Sequence, residues 1–150
     1  MKSYTFFAEG EPKGQPRARA CIRGRHAGVY DPGTADKWKA KVKAAAMPYI
    51  NAQGEISGPV IVQLSFFMPR PLAHWCIRGG TRSNELSTTA PLFHTTKPDC
   101  DNLAKAVMDA LTDCGLWQDD KMVFSLRVDK IYSNNRGFAG CEIKASEVAQ

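Results

Sequence analysis

The clearest strand of this 150-residue sequence lies at residues 59–68, which are Pro59-Val60-Ile61-Val62-Gln63-Leu64-Ser65-Phe66-Phe67-Met68. These residues are mostly β-branched and aromatic, and they partly alternate between apolar and polar, as expected for a strand with one face in a protein core. Residues 3–9 are also rich in aromatic and β-favouring types, so they predict a first strand.

Two other segments show helical periodicity. The first begins at Thr34, which can cap the helix, and it carries Asp36 in its first turn. Its apolar residues recur at helical spacing as Trp38, Val42, Ala45 and Ala46. We expect Pro48 to end or kink this helix, because proline lacks the amide hydrogen that a helix interior needs.

The second helix is predicted at residues 101–114. One of its faces is apolar, and Gly115 stands where a glycine commonly follows the end of a helix. Residues 122–133 and 138–145 have the composition of two further strands, and the turn sequence Asn134-Asn135-Arg136-Gly137 separates them.

Two stretches lack such periodicity. Residues 10–33 are rich in glycine, proline and basic residues, which favours a loop or an irregular hairpin. Residues 69–97 form a long connection, and connections of this length in a compact domain are usually functional or disordered. The order β, α, β, α, β, β predicts a single α/β (α+β) domain over residues 1–150, in which two main helices pack on a small mixed β-sheet.

The chain is basic. Its 20 Lys and Arg against 15 Asp and Glu give a formal charge of +5, and its pI is about 9.0. An excess of this size is only a weak indication of a polyanionic partner. The charge is concentrated near the N-terminus, since no acidic residue occurs between Glu11 and Asp31. The basic residues of that stretch are Lys13, Arg17, Arg19, Arg23 and Arg25.

The cysteines indicate a reducing compartment. Cys21, Cys76, Cys100, Cys114 and Cys141 are odd in number and contain no Cys-x-x-Cys pair, so we expect reduced thiols and not a disulfide framework or a zinc ribbon. The apolar part of the N-terminus is too short for a signal-peptide core. No stretch approaches the ~20 apolar residues of a membrane span. We therefore expect a cytoplasmic protein that does not associate with membranes.

The densest group of chemically active residues is Lys97-Pro98-Asp99-Cys100-Asp101-Asn102, followed by Lys105 and Asp119-Asp120. If the entry to the helix is extended, Asp99 and Asp101 point the same way. Two such carboxylates suit Mg²⁺, which prefers oxygen ligands and commonly takes only one or two carboxylates from the protein. Lys105 follows Asp101 by one helical turn and could stabilise the charge that develops on a scissile phosphate.

Simpler interpretations exist for each of these residues. A single aspartate before a helix is usually a cap, and Lys105 with Asp101 could be an ordinary surface ion pair. Other known sites do not fit the spacing. A calcium loop would need a ligand and a glycine where Leu103 and Ala104 stand, and a Walker glycine loop is absent. The three histidines are scattered, so a zinc site built from them with Cys100 is disfavoured.

The sequence from Lys97 to Leu111 contains Asp99-Cys100-Asp101-Asn102-Leu103-Ala104-Lys105-Ala106 and is followed by Trp117-Gln118-Asp119-Asp120. This pattern resembles the signature of the RusA family of Holliday junction resolvases. Gly14-Gln15-Pro16-Arg17-Ala18-Arg19 and Tyr30-Asp31-Pro32 are also similar to that family, especially to its phage-type members. The chain departs from the family at Cys100, where an aliphatic residue is common and where we expect a small buried thiol, and in the length of the 69–97 connection.

The resemblance implies a homodimeric endonuclease that resolves four-way (Holliday) DNA junctions by paired symmetric nicks. Its cofactor would be Mg²⁺, with Mn²⁺ as an alternative ion, and hydrolysis of the phosphodiester would be metal-assisted. The family's metal-binding carboxylates correspond to Asp99, Asp101 and Asp120, and its catalytic lysine corresponds to Lys105. We expect DNA contacts from Lys13, Arg17, Arg19, Arg23, Arg25 and Lys97. The alternatives are a non-catalytic module that binds DNA junctions, a related nuclease that prefers forks or flaps, and a hydrolase of nucleotides.

The position of Asp120 tests this assignment. A helix over residues 101–114 is about 20 Å long, and Asp120 follows its far end. Residues 115–120 can span about 20 Å when nearly extended, so Asp120 meets Asp101 only if the chain doubles back at Gly115, which permits a reversal. Otherwise Asp120 acts across the dimer interface. The spacing alone also leaves Asp119 as an alternative ligand.

Overall fold

A computed structural model gives the structure of residues 1–149. The strands are β1 (Ser3–Glu9), β2 (Arg19–Arg23), β3 (His26–Tyr30), β4 (Val60–Met68), β5 (Trp75–Arg78), β6 (Thr81–Leu86), β7 (Val123–Tyr132) and β8 (Gly140–Glu147). The helices are α1 (Asp36–Gln53) and α2 (Cys100–Asp113), with short 3₁₀ turns at Leu72–His74 and Asp120–Met122.

Four of the strands form one sheet in the order β1-β8-β4-β7. β8 is antiparallel to both β1 and β4, whereas β4 and β7 are parallel. The strand predicted at residues 59–68 is therefore a central strand, which explains its strongly apolar composition. The prediction of an α+β fold with a mixed sheet and two main helices is confirmed.

The register of the sheet aligns its apolar residues in rows. Phe6 lies opposite Ile143, Ile143 lies opposite Leu64, and Leu64 lies opposite Val128. Because side chains alternate along a strand, such rows cover one face of the sheet. Both helices contribute to the same core, mainly through Trp38, Val42, Leu103, Val107 and Leu111. Helix α1 packs against β1 and α2, and α2 also contacts β7.

Two expectations for the first helix were wrong. The N-cap residue is Ala35, which is buried, and the Thr34 side chain does not cap the helix. The helix also continues through Pro48 to Gln53. Packing on both sides of the proline offsets the lost hydrogen bond, since Ala46 is fully buried and Tyr49 stacks on Phe6 at 5.3 Å between ring centroids.

The second helix begins and ends within one residue of the prediction, and the chain reverses at Gly115 as expected. Gly115 has a φ of 79°, and the amides of Gly115 and Leu116 donate to the carbonyls of Thr112 and Leu111. These are the two hydrogen bonds of a Schellman motif. Leu116 and Trp117 are then fully buried, which anchors the returning chain.

The two aperiodic stretches contain hairpins. β2 and β3 form an antiparallel pair within residues 10–33, in agreement with the irregular hairpin considered for that stretch. The expectation of a connection without structure at 69–97 was wrong, because β5 and β6 pair around Gly79 and Gly80, both with positive φ. A two-residue glycine turn suits the twist of a hairpin.

Two further predictions concerned membrane spans and the cysteines. No helix within residues 1–149 is long and apolar enough to cross a membrane. All five cysteines are free thiols, as predicted. Cys100, expected to be buried, is instead exposed at the first position of α2, because the buried face of this helix begins at Leu103.

Replacing Gly140 with alanine should destabilise the protein. A Cβ at Gly140 would lie 2.5 Å from the Ala8 carbonyl oxygen and 2.5 Å from the Phe7 ring. We expect the free energy of unfolding, measured by urea denaturation, to fall by about 1–3 kcal/mol. Gly28→Ala is the matched control, since a Cβ there meets only Cys21 Sγ at 3.8 Å. Equal stability of the two variants would contradict this account.

Candidate active site

The segment that leads into α2 is hydrogen-bonded to β7. Lys130 of β7 donates hydrogen bonds from Nζ to the carbonyl oxygens of Thr96 at 2.6 Å and Pro98 at 2.7 Å. Just upstream, the amide of His94 donates to the Lys130 carbonyl, and Phe93 forms a β-bridge with Ile131. The start of α2 therefore has a fixed position relative to the sheet.

Asp99 occupies the N-cap position of α2, but its side chain makes no capping hydrogen bond. Its exposed carboxylate lines a groove of about 720 Å³ together with Lys13, Arg17 and Lys97. Three of the basic residues predicted to contact DNA thus lie in the same groove as one of the predicted acids. A capping role alone does not account for Asp99.

The segment with the Gly-Gln-Pro-Arg motif packs directly on the start of α2. The amide of Gln15 donates to the Asn102 carbonyl at 2.8 Å, and the Gln15 side-chain amide donates to Asp31 at 2.7 Å. Gly14 allows this approach, because a Cβ there would lie 3.0 Å from Asn102 Cβ and 3.1 Å from Pro98 Cβ. These contacts join the three regions that carry the family resemblance and bring Arg17 to the groove.

Asp101, Lys105 and Asp120 line a second cavity of about 320 Å³. The apolar remainder of its wall comes from Ala104, Met108, Val123 and Leu126. Asp101 belongs to the first turn of α2 and not to an extended segment, so the expectation that it points the same way as Asp99 by strand alternation was wrong. Asp99 and Asp101 instead line different cavities on the two sides of the helix start.

Lys105 lies between two carboxylates, Asp120 in this cavity and Asp109 one turn further along α2. Its Nζ lies 2.6 Å from Asp109 Oδ1 and 3.8 Å from Asp120 Oδ2. The hydrogen bond to Asp109 raises the pKa of Lys105, partial burial opposes this effect, and the charges of Asp109 and Asp120 add to it. Lys105 is therefore a cation at neutral pH. The contact with Asp120 lies within one chain, so the reversal at Gly115 brings Asp120 back to α2 without a partner subunit.

The two adjacent aspartates have different environments. Asp119 caps the 3₁₀ turn, because its Oδ1 accepts a hydrogen bond from the Lys121 amide at 2.9 Å. This hydrogen bond and the nearby Lys121 side chain lower the pKa of Asp119. Asp120 follows as the first residue of the turn and faces Lys105. The geometry favours Asp120 over Asp119 as the residue available for a ligand.

The donor chemistry of the cavity fits Mg²⁺. Asp101 and Asp120 offer carboxylate oxygens in one cavity, and Mg²⁺ commonly takes one or two protein carboxylates while keeping several waters. Within residues 1–149, no three His, Cys, Asp or Glu side chains are close enough to surround one ion. A single subunit thus presents a pair of carboxylates, with Asp99 on the other side of the helix start.

The other predicted DNA contacts are exposed and lie outside both cavities. Arg19 and Arg23 are on β2, and Arg25 is in the turn before β3. Sequence reasoning missed Lys130, which sits in an ordinary strand pattern and whose role depends on carbonyl groups about 30 residues away in sequence. Asp109 follows Lys105 by one helical turn, and its contact with Lys105 shows what it does.

Comparisons with known proteins agree with this geometry. The sequence model of the family described as endodeoxyribonuclease RusA matches residues 9–144. An uncharacterised protein of Bacillus subtilis (strain 168), YqaN, is 32% identical over 133 residues, which cover 89% of this chain and 90% of that protein. The family match spans the groove, the second cavity and the basic hairpin.

Replacing Lys130 with methionine should reduce catalysis by displacing the entry to α2. We expect kcat for junction cleavage to fall about tenfold, while the dissociation constant for a DNA junction stays within about twofold, because every proposed DNA contact except Lys97 lies outside the displaced segment. Lys130→Arg retains the donors and should restore part of kcat.

The matched control is Lys144→Met. Lys144 lies on β8 of the same sheet, and its one ion pair within the described residues is with Glu142 at 3.0 Å. Steady-state kinetics of the three variants and urea denaturation distinguish positioning from a general loss of stability. A Lys130→Met enzyme with unchanged kcat would show that the entry segment does not need this anchor.

Proposed function

Because the chain belongs to the RusA family of endodeoxyribonucleases, we propose that it resolves four-way DNA junctions by paired, symmetric, Mg²⁺-dependent nicks. The observation that carries this proposal is the meeting of Asp101, Lys105 and Asp120 at one cavity, next to a basic groove that contains Asp99. We also propose that it acts in the cytoplasm, where its DNA substrate lies, with Mn²⁺ as an alternative ion.

The proposed reaction is hydrolysis of one phosphodiester in each of two opposed strands. A water oxygen bonds to phosphorus while the bond to the leaving oxygen breaks in line with the attack. Mg²⁺, when bound by Asp101 and Asp120, would polarise the phosphate and favour deprotonation of water. Asp99, which lines the adjoining groove, would hold a second ion where the reaction uses two. Lys105, which Asp109 positions by a hydrogen bond of 2.6 Å, stabilises the negative charge that develops on the phosphate oxygens.

The carboxylates and the basic residues have separate tasks in this proposal. The groove residues Lys13, Arg17 and Lys97 hold backbone phosphates and orient the scissile one. Because net positive charge governs most of the binding energy for DNA, loss of one carboxylate should affect the chemical step and leave binding largely intact. This separation gives the proposal a direct test.

Asp101→Asn and Asp120→Asn should each lower the rate of junction nicking by at least about 100-fold, with junction affinity changed only a few-fold. Asp119→Asn should keep most of the activity, since asparagine can still accept the hydrogen bond from the Lys121 amide. The measurement is single-turnover cleavage of a synthetic four-way junction, with a replication fork and a linear duplex as competing substrates.

Asp113→Asn serves as the matched control on the same helix, since Asp113 is exposed and pairs with Lys43 at 3.0 Å. EDTA should abolish nicking by the native protein. Full activity of Asp101→Asn, or full activity in EDTA, would refute the proposed mechanism. Faster cleavage of the fork than of the junction would reassign the substrate within the same chemistry.

We propose that the enzyme is a homodimer, because symmetric nicks need two sites related by a twofold axis. The first part of the β7 edge, before the bridge between Phe93 and Ile131, supports a self-complementary interface. β7 is an edge strand of the sheet, and Phe124 and Leu126 on it are 62% and 45% exposed. Unpaired strand edges with apolar side chains favour pairing with another chain, and this one lies beside the Asp120 cavity.

Phe124→Lys should weaken the dimer. A charge at the interface opposes burial, so we expect sedimentation equilibrium to show a dissociation constant raised at least about tenfold, and paired nicking to fall to independent single nicks at low protein concentration. Leu72→Lys is the control, since Leu72 is similarly exposed but lies in the 3₁₀ turn before β5. A native protein that stays monomeric at assay concentrations would contradict the proposal.

A further inference from the structure

The hairpin of β2 and β3 stands apart from the rest of the fold. Its strands pair only with each other, and neither joins the four-stranded sheet. Every residue of β3 is exposed, and so is every residue of β2 except Cys21. Ile22 and Val29 are 80% and 72% exposed, so they are among the most exposed large apolar side chains in the described part of the chain.

The register divides the hairpin into two chemically different faces. Residues directly opposite each other in an antiparallel pair share a face. One face carries Ala20 with Val29 and Ile22 with Ala27, so it is entirely apolar. The other face carries Arg19 with Tyr30, Cys21 with Gly28, and Arg23 with His26.

An apolar face of this kind is unusual on a free hairpin. A two-stranded hairpin in water is only marginally stable, and within residues 1–149 no other element covers Ile22 and Val29. Exposed apolar surface with a polar rim commonly marks a place where a partner binds. The occupant has to be compatible with the charges that surround this face.

The positive charge of the hairpin indicates which kind of partner binds its apolar face. The hairpin and the segment leading to it contain Arg17, Arg19, Arg23 and Arg25 and no acidic residue. A second hairpin packed on this apolar face would leave Arg19 and Arg23 of both copies on the outer faces, but it would still double the positive charge of one small region, which like-charge repulsion opposes. DNA offers negative phosphates together with flat apolar base surfaces, and those surfaces become accessible where base stacking is interrupted.

The hairpin is also continuous with the candidate active site. Arg17 lines the groove that contains Asp99, and β2 begins two residues later at Arg19. A strand of DNA whose phosphates lie in the groove would therefore also contact the hairpin, next to the scissile bond. A two-stranded ribbon is narrow enough to enter a DNA groove.

Resting on the proposed function, we infer that the apolar face of this hairpin, with Ile22 and Val29, packs against unstacked bases at the branch point of DNA, while Arg19 and Arg23, on the opposite face, contact phosphates of the strand that flanks the hairpin. The hairpin then distinguishes a branched substrate from a linear duplex, because stacked duplex bases do not offer such surfaces. It acts in recognition and has no part in the chemical step.

The test is the double substitution Ile22→Thr with Val29→Thr, which keeps β-branched residues and hence the strand preference of the hairpin. The probe is a synthetic four-way junction with 2-aminopurine at the branch point, bound in EDTA so that no cleavage is needed. We expect junction affinity to fall at least about tenfold and the fluorescence change on binding to be lost. Affinity for a linear duplex should stay within about twofold.

Two further variants serve as a control for the apolar substitutions and as a test of the charged face. Ile77→Thr, on the exposed hairpin of β5 and β6, replaces a similarly exposed isoleucine and should leave both affinities unchanged. Arg19→Gln with Arg23→Gln should weaken junction and duplex alike and reduce the slope of log affinity against log salt concentration by about 1.8. Circular dichroism and thermal unfolding verify that each variant is folded.

Unchanged junction affinity and fluorescence in the Thr variant would overturn the inference. A shift of the Thr variant from dimer to monomer in sedimentation would also overturn it, and would assign the apolar face to a second copy of the chain. Since every readout is binding in EDTA, a native protein that binds junctions but never nicks them would refute the proposed function and leave this inference standing.

Discussion

The parallel pairing of β4 with β7 is the constraint on which the candidate site depends. Parallel neighbours cannot be joined by a tight turn, so the chain between them must cross the sheet, and α2 makes most of that crossing. The helix carries Asp101 and Lys105 on the way, and the chain must then return to the start of β7. Asp120 lies on this return, three residues before the strand begins, which is why it meets Lys105.

Charge balance explains how the acids stay close together. Asp109 and Asp120 both face Lys105, and this cation offsets the repulsion that two carboxylates would otherwise exert on each other. The neighbouring Asp119 accepts a hydrogen bond from the Lys121 amide and pairs with the Lys121 side chain at 3.2 Å. One lysine therefore organises the cavity before any ion or phosphate arrives, and a divalent cation would add to the same balance.

The features that were predictable from sequence depend on local patterns. The spacing of Asp101 and Lys105, the reversal at Gly115 and the alternation in β4 are each set by a few neighbouring residues. The features that the sequence did not predict depend on tertiary packing. Pro48 stays inside α1 because its neighbours are buried, and Lys130 reaches carbonyls that only the folded chain brings near. The Gly79-Gly80 turn was a local signal for the β5–β6 hairpin that the prediction overlooked.

Under the proposed function, the arrangement separates binding from chemistry. The acidic residues lie on α2 and on the turn before β7, both of which pack on the core, whereas the hairpin of β2 and β3 contributes nothing to that core. Rigid elements can hold carboxylates to the tolerance that metal-assisted hydrolysis needs. A hairpin outside the core can adapt to a distorted DNA branch without moving those carboxylates. Gln15 joins the two units, because its backbone binds Asn102 at the start of α2 while its side chain binds Asp31 just beyond β3.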